Sequence, residues 1–444
     1  MFEHLLRFIA ETSFEDIPPL VIDQAKRCVL DWVGVTVGGV AHPASSLLID
    51  LVKDLGGKDQ ASIFGTSLKS SMVNAALVNG AMSHVLDFDD THLAALMHPS
   101  APLLPALFAF GESEGTSGKD FLTAFVLGFE TETRISLSMG ASHYDRGWHS
   151  TGTMGRFGAA AGVSKLMKLD VEKMSFALGL AGTQASGVRK VFGSMAKSFH
   201  PGKAAFDGLL SALLAQRGYT SSENILEGEK GLGSLLTGDF QPARGLEGLG
   251  SRYLLGGLSF KPYASCLYTH PAIDAVIQLR NNHRIDPQEV VRISCRVAKF
   301  CYDAACILVP QTGLEGKFST AYCLAIALRE GRADESLFKD EMVKDPSITE
   351  IMKKIRVEQN AGLSEKESEI TIRLRNGENL NSRVSSPLGN PENPLPKRAL
   401  EEKAKSLMGM IFPEEKIDKI FHKIWNLESL NNISELTELL VAER

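Results

Sequence analysis

The chain has 444 residues, of which 44% are hydrophobic and 23% are charged, and its formal net charge is -6 at pH 7. A chain of this length and apolar content can bury the cores of two or three domains, so we expect a globular protein. The acidic balance and the absence of a dense Lys/Arg run argue against a nucleic-acid partner.

The N-terminal stretch and the cysteine content predict a cytoplasmic protein. MFEHLLRFIAETSFEDIPP carries acids throughout and lacks the apolar core of a signal peptide. The longest uncharged stretch nearby, WVGVTVGGVAHPASSLLI from Trp32, contains a histidine, a proline and glycines, so we expect no membrane span. The six cysteines form no CxxC pair, which argues against a disulfide framework and a structural zinc site.

Residues 1–257 show the hydrophobic spacing of helices. LVIDQAKRCVLDWVGV from Leu20 repeats apolar side chains every 3.6 residues, and KSSMVNAALVNGAMSHVLDF continues in the same style. MGRFGAAAGVSKLM from Met154 and MSFALGLAGTQASGV from Met174 are crowded with alanine and glycine, which lets helix axes approach closely. We expect a compact helical bundle.

The segment 258–387 mixes strand and helix signals. VVRISCRV from Val290 alternates as a strand does, and IRVEQ from Ile355 is a second short strand candidate. EITIRLRNGENLNSRV contains an Asn-Gly turn between two alternating runs and predicts a hairpin. The connector SPLGNPENPLP then breaks the structure before a helical pattern resumes. The sequence thus predicts a mainly α fold: a helical domain of residues 1–257 and 388–444, with a smaller α+β domain inserted before the C-terminal helices.

The densest polar stretch of the chain is HVLDFDDTHLAALMHPSAP, residues 84–102. We expect residues 72–91 to form one helix. In that helix His84, Asp87 and Thr91 lie along one face at positions i, i+3 and i+7, so one helix end presents a carboxylate and a hydroxyl together.

Three histidines directly precede a proline or an expected helix N-cap. His98 stands before the helix start SAPLLPALFAF, where unpaired backbone N–H groups favour an anion. His149 precedes Ser-Thr-Gly in HYDRGWHSTGTMGRFG, and His270 precedes a proline in KPYASCLYTHPAIDA. Taken alone, each is more often a capping or packing residue, but the repeated pattern favours a shared site.

Several neighbouring polar residues have two interpretations. Lys197 and Lys203, in FGSMAKSFHPGKAAFDG, are either site residues or ordinary solvated lysines. Asp89 is interpreted as a solvated loop residue, as is Asp90, and His143 as a structural one. We treat Lys203, Asp89 and His143 as positions outside the site.

The usual signatures of metal and nucleotide sites do not occur in the sequence. DFDDTH matches neither HExxH nor the EF-hand spacing and brings no cysteine ligand pair. We find no phosphate-binding GxxxxGK[ST], no GxGxxG after an early strand and no GxSxG nucleophile elbow. We therefore expect no metal and no organic cofactor. Histidines that move protons, with a lysine and helix N-termini that hold carboxylates, suit proton chemistry beside a carboxylate.

Five motifs, in order, resemble those of the MmgE/PrpD family: HVLDFDDTH with HPSAPLLPALFAFGE, then GWHSTGTMGRFGAAAG, FGSMAKSFHPGKAAFDG, KPYASCLYTHPAIDA and TGLEGKFSTAYCLA. The similarity covers nearly the whole chain. It implies a large all-helical domain, a smaller α+β lid domain and a homodimer. Together with the small-residue helices, the resemblance leads us to expect that the homodimer is joined mainly through the helical domain. Members include 2-methylcitrate dehydratase, cis-aconitate decarboxylase and iminodisuccinate epimerase, none of which needs a metal or an organic cofactor. The resemblance therefore also implies catalysis without a cofactor.

The resemblance further implies a set of site residues. Matched motif by motif, they are Asp87 and Thr91 of DFDDT, His98 of HPS, His149 of GWH, Lys197 of MxK, and His270 before the lid helix. We expect the HPS and GWH histidines to share the acid/base work and the aspartate to orient a histidine. The threonine binds substrate, the lysine a carboxylate, and His270 brings the lid onto the ligand, the last two being candidates for catalysis as well. Tyr302 matches the lid tyrosine of the decarboxylases only loosely, because VAKFCYDAA departs from their pattern.

The expected function is a cofactor-independent lyase that removes a proton next to a carboxylate of a small di- or tricarboxylate. It resembles a 2-methylcitrate dehydratase or a cis-aconitate decarboxylase. One alternative is an epimerase of an amino or imino dicarboxylate, similar to iminodisuccinate epimerase. A second is a dimer that binds an organic acid without turning it over. The two histidines separate the last hypothesis from the others, since binding alone does not require them to titrate.

Overall fold

The computed structural model describes residues 1–443 and confirms a mainly helical chain, with 59% of residues in helices and 9% in strands. The helices are α1 (Phe2–Glu11), α2 (Pro19–Gly38), α3 (Pro43–Leu55), α4 (Met72–Val85), α5 (Ser100–Glu114), α6 (Gly118–Asp145), α7 (Ser150–Leu166), α8 (Val171–Thr183), α9 (Ala196–Gln216), α10 (Leu232–Leu236), α11 (Pro242–Leu246), α12 (His270–His283), α13 (Lys299–Ala304), α14 (Gly313–Gly316), α15 (Thr320–Glu330), α16 (Asp340–Val343), α17 (Pro346–Lys353), α18 (Lys397–Met408), α19 (Glu414–Trp425) and α20 (Ser434–Thr437). The strands are β1 (Ala61–Ser62), β2 (Lys69–Ser70), β3 (Thr91–His92), β4 (Leu258–Ser259), β5 (Val290–Val297), β6 (Ile355–Gln359), β7 (Ser368–Leu374) and β8 (Asn379–Val384).

The chain divides into two compact units. The helical unit contains Met1–Val85, Asp89–Ser259 and the chain from Pro396 onward, and the mixed unit contains Leu86–Phe88 and Phe260–Leu395. The mixed unit therefore extends past residue 387, the end that the sequence predicts for the smaller domain. The connector stays with this unit because the Leu388 N–H donates to Asp274 Oδ2 at 2.6 Å.

Helix α9 lies at the centre of the helical unit and packs against α4, α5, α7 and α8. Glycines make these approaches close, as the sequence predicts: a Cβ on Gly80 would lie 2.8 Å from Gly202 Cα, and one on Gly208 would lie 2.5 Å from Ala159 Cβ. Every residue of α7 from Ser150 to Ser164 is buried inside the unit. The small side chains of α7 thus serve packing within one chain, so they do not support the expected dimer contact.

Helix α2 shows how the C-terminal chain returns to the helical unit. A Cβ on Gly34 would lie 2.9 Å from Ala404 Cα, so α18 packs directly on α2. Trp32 stacks on Phe108 of α5 with ring centroids 5.3 Å apart. Among residues 1–443, no single helix has the length and apolar content of a membrane span. Helices α2 and α3 pass that test only as a pair, by length and composition, and are bent by 84° at their junction.

The predicted single helix over residues 72–91 is wrong. Helix α4 ends at Val85, Asp87 has a φ of 49°, and Thr91 begins the short strand β3, which pairs with β4. His84, Asp87 and Thr91 therefore do not share a helical face. Aspartate is a weak helix former and is unfavourable at the negative C-terminal end of a helix, which accounts for the early stop at DFDD. The helical unit is also not purely helical, because it contains two two-stranded ladders.

The mixed unit is built on a four-stranded sheet with the order β6-β5-β7-β8. The three predicted strand regions are confirmed, and β7 and β8 form the predicted antiparallel hairpin. Gly377 has a φ of 90° in the turn, and the Asn376 side chain accepts the Glu378 N–H at 2.9 Å. Strands β5 and β6 are parallel, so the chain between them crosses over through helices. Helix α12 packs on β7 and β8.

Glu132 is an unpaired acid between two helices of the helical unit. It lies on α6, and its carboxyl group is so close to α7 that a Cβ on Gly158 would clash with Oε2. Both carboxyl oxygens are buried and find no hydrogen-bond partner among residues 1–443. Burial, followed by repulsion from Asp90, raises the pKa of Glu132 well above its usual range. The folded chain therefore holds Glu132 protonated.

We expect Glu132→Gln to change how stability depends on pH. A raised folded-state pKa means that the folded chain keeps a proton that the unfolded chain releases above about pH 4.3, so stability falls as the pH rises. Glutamine has no such proton. Relative to the parent, the variant should therefore gain about 1.4 kcal/mol of unfolding free energy per pH unit across this window. Urea unfolding at pH 4, 6 and 8 measures the difference.

The glutamine amide brings its own unsatisfied N–H groups, but this cost is the same at each pH. The test is therefore whether the difference in unfolding free energy between the variant and the parent changes with pH. Glu3→Gln, at an exposed position on α1, is the matched control and should stay within about 0.5 kcal/mol of the parent. A pH-independent difference for Glu132→Gln would show that the folded chain ionises this carboxyl normally.

Candidate active site

Five polar side chains meet in the helical unit where α4, α5, α7 and α9 pack together. We call them the histidine cluster: His84, Asp89, His98, His149 and His200. The ring centroids of His84 and His98 are 4.5 Å apart, those of His84 and His149 6.0 Å, and those of His149 and His200 5.2 Å. Helix ends supply most of the cluster, since His84 lies in the last turn of α4 and His149 is the N-cap of α7.

Asp89 holds two of these imidazoles. Its Oδ2 lies 2.8 Å from His84 Nδ1 and 3.2 Å from His98 Nδ1, and only 1% of the residue is exposed. Burial acts to raise the pKa of Asp89, but the charges and hydrogen bonds of His84 and His98 outweigh it and hold the pKa well below the usual range. Asp89 is therefore an ionised acceptor between two rings. This corrects its interpretation as a solvated loop residue.

The contact with Asp89 fixes the tautomer of His84. Burial lowers the pKa of His84 to about 4, against the pull of Asp89. A neutral imidazole beside a carboxylate donates from the nitrogen that faces it, so His84 carries its proton on Nδ1. Its Nε2 is buried and has no hydrogen-bond partner among the residues described. The lone pair of His84 is thus held on Nε2.

His98 is positioned from several directions. Its backbone N–H donates to Thr151 Oγ1 at 3.0 Å, which ties the start of α5 to the first turn of α7. Its Nδ1 lies 3.3 Å from Thr91 Oγ1 as well as near Asp89. Hydrogen-bond partners therefore hold the Nδ1 side of the His98 ring, as they do for His84. The predicted site residues Thr91 and His98 lie together.

His149 is a buried histidine that contacts a second histidine. It is 2% exposed, its Nδ1 lies 2.9 Å from His200 Nδ1, and its ring packs edge-on against Phe192. Burial, followed by the positive charge of Lys197, lowers the pKa of His149 well below its usual range. The ring is therefore neutral near pH 7 and able to accept a proton.

Lys197 supplies the positive charge of this region. It lies in the first turn of α9, 7% exposed, with Nζ 5.3 Å from the centroid of Phe192. Its charge lowers the pKa of His84, His149 and His200. A buried ammonium beside neutral imidazoles is suited to hold a carboxylate. Lys203, six residues further along α9, instead pairs with Asp207.

Asp90 differs sharply from its neighbour Asp89. It is also 1% exposed, but its Oδ2 accepts the Ser100 hydroxyl at 2.5 Å. Burial, followed by repulsion from Asp31, raises the pKa of Asp90 well above the usual range. Asp90 is therefore protonated, and its hydrogen bond with Ser100 stabilises the start of α5. The prediction that it is solvated is wrong.

The remaining predicted site residues lie in the mixed unit. Lys261, 1% exposed, donates from Nζ to the Asp87 backbone oxygen at 2.7 Å and to its Oδ1 at 3.1 Å. His270 is fully buried in the first turn of α12 and packs against the Tyr263 ring at a centroid distance of 5.2 Å. Tyr302 is half-buried on α13. Within this unit, Asp87 is thus paired with a lysine, a partner that the sequence did not indicate.

The structure brings some of the residues predicted from the sequence together. The predicted residues that the structure brings together in the helical unit are Thr91, His98, His149 and Lys197. Three members of the histidine cluster were missed, namely His84, Asp89 and His200. All three lie in the polar sequence motifs described above. Those motifs stand out by their high density of polar residues and not by a recognised spacing of catalytic residues.

The donor set of the cluster raises the question of a metal. The ligand atoms of His84, Asp89 and His98 lie within 4.8 Å of one another, and divalent transition metals accept two imidazoles and a carboxylate. Both Nδ1 atoms, however, face the same carboxylate. A metal ion bound at the Nδ1 atoms would have to displace those contacts, whereas one bound at Nε2 would leave Asp89 as the hydrogen-bond partner of its ligands. Without a metal ion, the same contacts form a hydrogen-bonded acid/base cluster.

Comparison with known proteins covers almost the whole chain. The family model for the MmgE/PrpD N-terminal domain matches residues 3–244, and that for the MmgE/PrpD C-terminal domain matches residues 263–427. The chain is 27% identical to a cis-aconitate decarboxylase of Aspergillus terreus, covering 98% of this chain and 95% of the relative. It is also 27% identical to the cis-aconitate decarboxylase of Homo sapiens, with 95% and 90% covered. It is 24% identical to the 2-methylcitrate dehydratase of Cupriavidus necator, with 80% and 76% covered.

Proposed function

Because the chain belongs to the MmgE/PrpD family, we propose that it is a lyase that acts on a small tricarboxylate without a cofactor. The observation that carries this proposal is the histidine cluster, in which an ionised Asp89 contacts His84 and His98, and the neutral His149 lies near the buried Lys197. Neutral histidines can accept a proton from carbon, and a buried ammonium can hold a carboxylate. This combination suits proton transfer next to a carboxylate.

We assign the acid/base work to His98 and His149. Asp89 holds the Nδ1 side of the His98 ring. Thr91 contributes a hydroxyl beside the same ring and is placed to bind substrate. Lys197 binds a substrate carboxylate. We keep Asp87, His270 and Tyr302 as candidate residues of the mixed unit, with Asp87 oriented by Lys261 rather than acting alone.

Two lyase reactions fit these roles. In dehydration, a base removes a proton from carbon and an acid protonates the hydroxyl that leaves as water. In decarboxylation, a C–C bond breaks, carbon dioxide leaves, and the resulting carbanion takes a proton from an acid. The relatives named above are decarboxylases and a dehydratase. Those names favour a lyase over the epimerase and over a protein that only binds organic acids.

The proposed function predicts turnover of cis-aconitate or 2-methylcitrate by the purified protein in buffer alone. We would incubate each acid in D₂O, with citrate and iminodisuccinate as comparison substrates, and follow products by proton NMR. A product of decarboxylation should carry one deuterium from solvent, at a carbon of the delocalised carbanion that the loss of carbon dioxide leaves. Turnover of iminodisuccinate alone would favour the epimerase, and saturable binding without turnover of any acid would favour the binding protein.

The same assay tests independence from metals. Activity should survive EDTA and gain nothing from added divalent ions, because the sequence carries no ligand set with a recognised metal-binding spacing. A reproducible loss with EDTA that a divalent ion restores would overturn the acid/base interpretation of the cluster.

We retain two further predictions about assembly and location. The homodimer rests on the family resemblance alone, since α7 is buried inside one chain. The cytoplasmic location rests on the sequence alone.

A further inference from the structure

His200 is the member of the histidine cluster to which no motif assigns a role. Its Nδ1 lies 2.9 Å from His149 Nδ1, so a single proton joins the two rings. If a neutral His149 donates from Nδ1, its lone pair is on Nε2 and it is a base. If it accepts at Nδ1, its proton is on Nε2 and it is an acid. Whether His200 accepts or donates the hydrogen bond between the two Nδ1 atoms therefore decides whether His149 is a base or an acid.

The surrounding backbone holds the His200 ring in this position. A Cβ on Gly187 would lie 3.3 Å from the Cγ and Nδ1 of that ring, and one on Gly152 would lie 3.2 Å from its Cβ. Gly187 has a φ of 124°, which favours glycine, and its carbonyl accepts the His149 backbone N–H at 3.0 Å. One glycine thus positions both members of the pair.

The electrostatic surroundings favour two neutral rings at rest. Burial, followed by the charges of Lys197 and Arg156, lowers the pKa of His200 to about 4. Arg156 is itself paired with Asp207 at 3.4 Å. His149 is 2% exposed, whereas His200 is only half-buried. A positive charge that forms during proton abstraction is therefore better solvated on His200 than on His149.

We propose that His200 is a positioning residue that holds His149 as the Nδ1–H tautomer and takes up that proton during the reaction. As His149 Nε2 receives a proton from the substrate carbon, the N–H bond at His149 Nδ1 breaks and one forms at His200 Nδ1. The positive charge then resides on His200, and His149 is left with its proton on Nε2, ready to act as an acid. This inference rests on the proposed acid/base role of His149.

Two variants of His200 test the inference. In His200→Gln the amide oxygen still accepts the Nδ1–H of His149 but cannot take the proton, and in His200→Ala no acceptor remains. Nitrogen-15 NMR of histidine-labelled, substrate-free protein reads the tautomer of His149, with its signals assigned from a His149→Asn sample. We expect an Nδ1–H tautomer in the parent and in His200→Gln, and a shift toward Nε2–H in His200→Ala.

Both variants should also lower kcat by about 10- to 100-fold, the loss found when the partner that orients a metal-bound histidine is removed, with KM little changed. His422→Gln, at an exposed position on α19, is the matched control and should keep the parental kcat. An Nε2–H tautomer in the parent, an unchanged His149 spectrum in His200→Ala, or parental kcat in both variants would overturn the inference. The tautomer is measured without substrate, so inactivity on every acid would count against the proposed function alone.

Discussion

Replacing His149 with alanine is expected to lower kcat by about 10² to 10⁴, the usual loss on removing an acid/base group. The ring is buried and neutral, and its Nδ1 is occupied by His200, so Nε2 is the nitrogen left for chemistry. KM should change little, because Lys197 and Thr91 remain to bind the substrate. Steady-state rates on the substrate found by the NMR screen measure both constants.

His143 supplies the control for this experiment. It is as buried as His149, and burial lowers its pKa to about 4, but its Nε2 lies 2.8 Å from Thr153 Oγ1 and its Nδ1 3.3 Å from the Leu236 carbonyl oxygen. Both ring nitrogens are thus engaged in structure. His143→Ala should lower the unfolding temperature while the folded fraction keeps its kcat. Equal losses of kcat in the two variants would mean that the His149 effect comes from folding.

The contrast between these two histidines shows what the sequence can predict. The motif GWHSTGTMGRFG locates His149 at the start of α7, because Ser, Thr and Gly mark an N-cap and the small residues that follow mark a packed helix. The strands β5 to β8 follow from alternation and the Asn-Gly turn in the same way. These patterns depend only on residues within one helix or one hairpin, so tertiary contacts do not change what they predict.

The end of α4 shows where local signals fail. A helical period through DFDDT requires a helix over residues 72–91, but the chain leaves the helix at Val85 and pairs Thr91 with Ser259 of β4. The pairing partner is far away in the sequence, so periodicity alone does not predict it. Because the helix ends early, Asp89 follows it in the loop, where its carboxylate contacts both His84 and His98.

The His149–His200 contact has the same origin. The two residues are joined by the packing of α7 on α9, and that packing depends on close approaches such as that of Gly208 to Ala159. In the sequence, His200 is merely one histidine between two lysines. The family resemblance likewise assigns it no role. Only the tertiary structure makes it a partner of the proposed acid/base residue.

Asp89→Asn is expected to reduce kcat by about 10² to 10⁴ without unfolding the protein. The Asp89 carboxylate only accepts hydrogen bonds, so both His84 and His98 present Nδ1–H to it, and a neutral ring at either position keeps its lone pair on Nε2. An asparagine is neutral and has one acceptor oxygen and one NH₂ group. With the NH₂ group at the Oδ2 position, His98 turns its lone pair to the amide and carries its proton on Nε2, where it can no longer act as a base; with the oxygen there, His98 loses the negative charge beside its Nδ1–H.

The adjacent Asp90 makes this test specific. Its raised pKa keeps it protonated, and its Oδ2 accepts the Ser100 hydroxyl, so Asp90→Asn replaces one neutral group with another. We expect Asp90→Asn to keep kcat within a few-fold of the parent, while Asp89→Asn loses it with little change in KM. Circular dichroism and thermal unfolding verify that both variants fold. Near-parental kcat in Asp89→Asn would show that the tautomers of His84 and His98 do not matter for turnover. An equal loss of kcat in Asp90→Asn would show that the effect comes from the start of α5 and not from the carboxylate between the two rings.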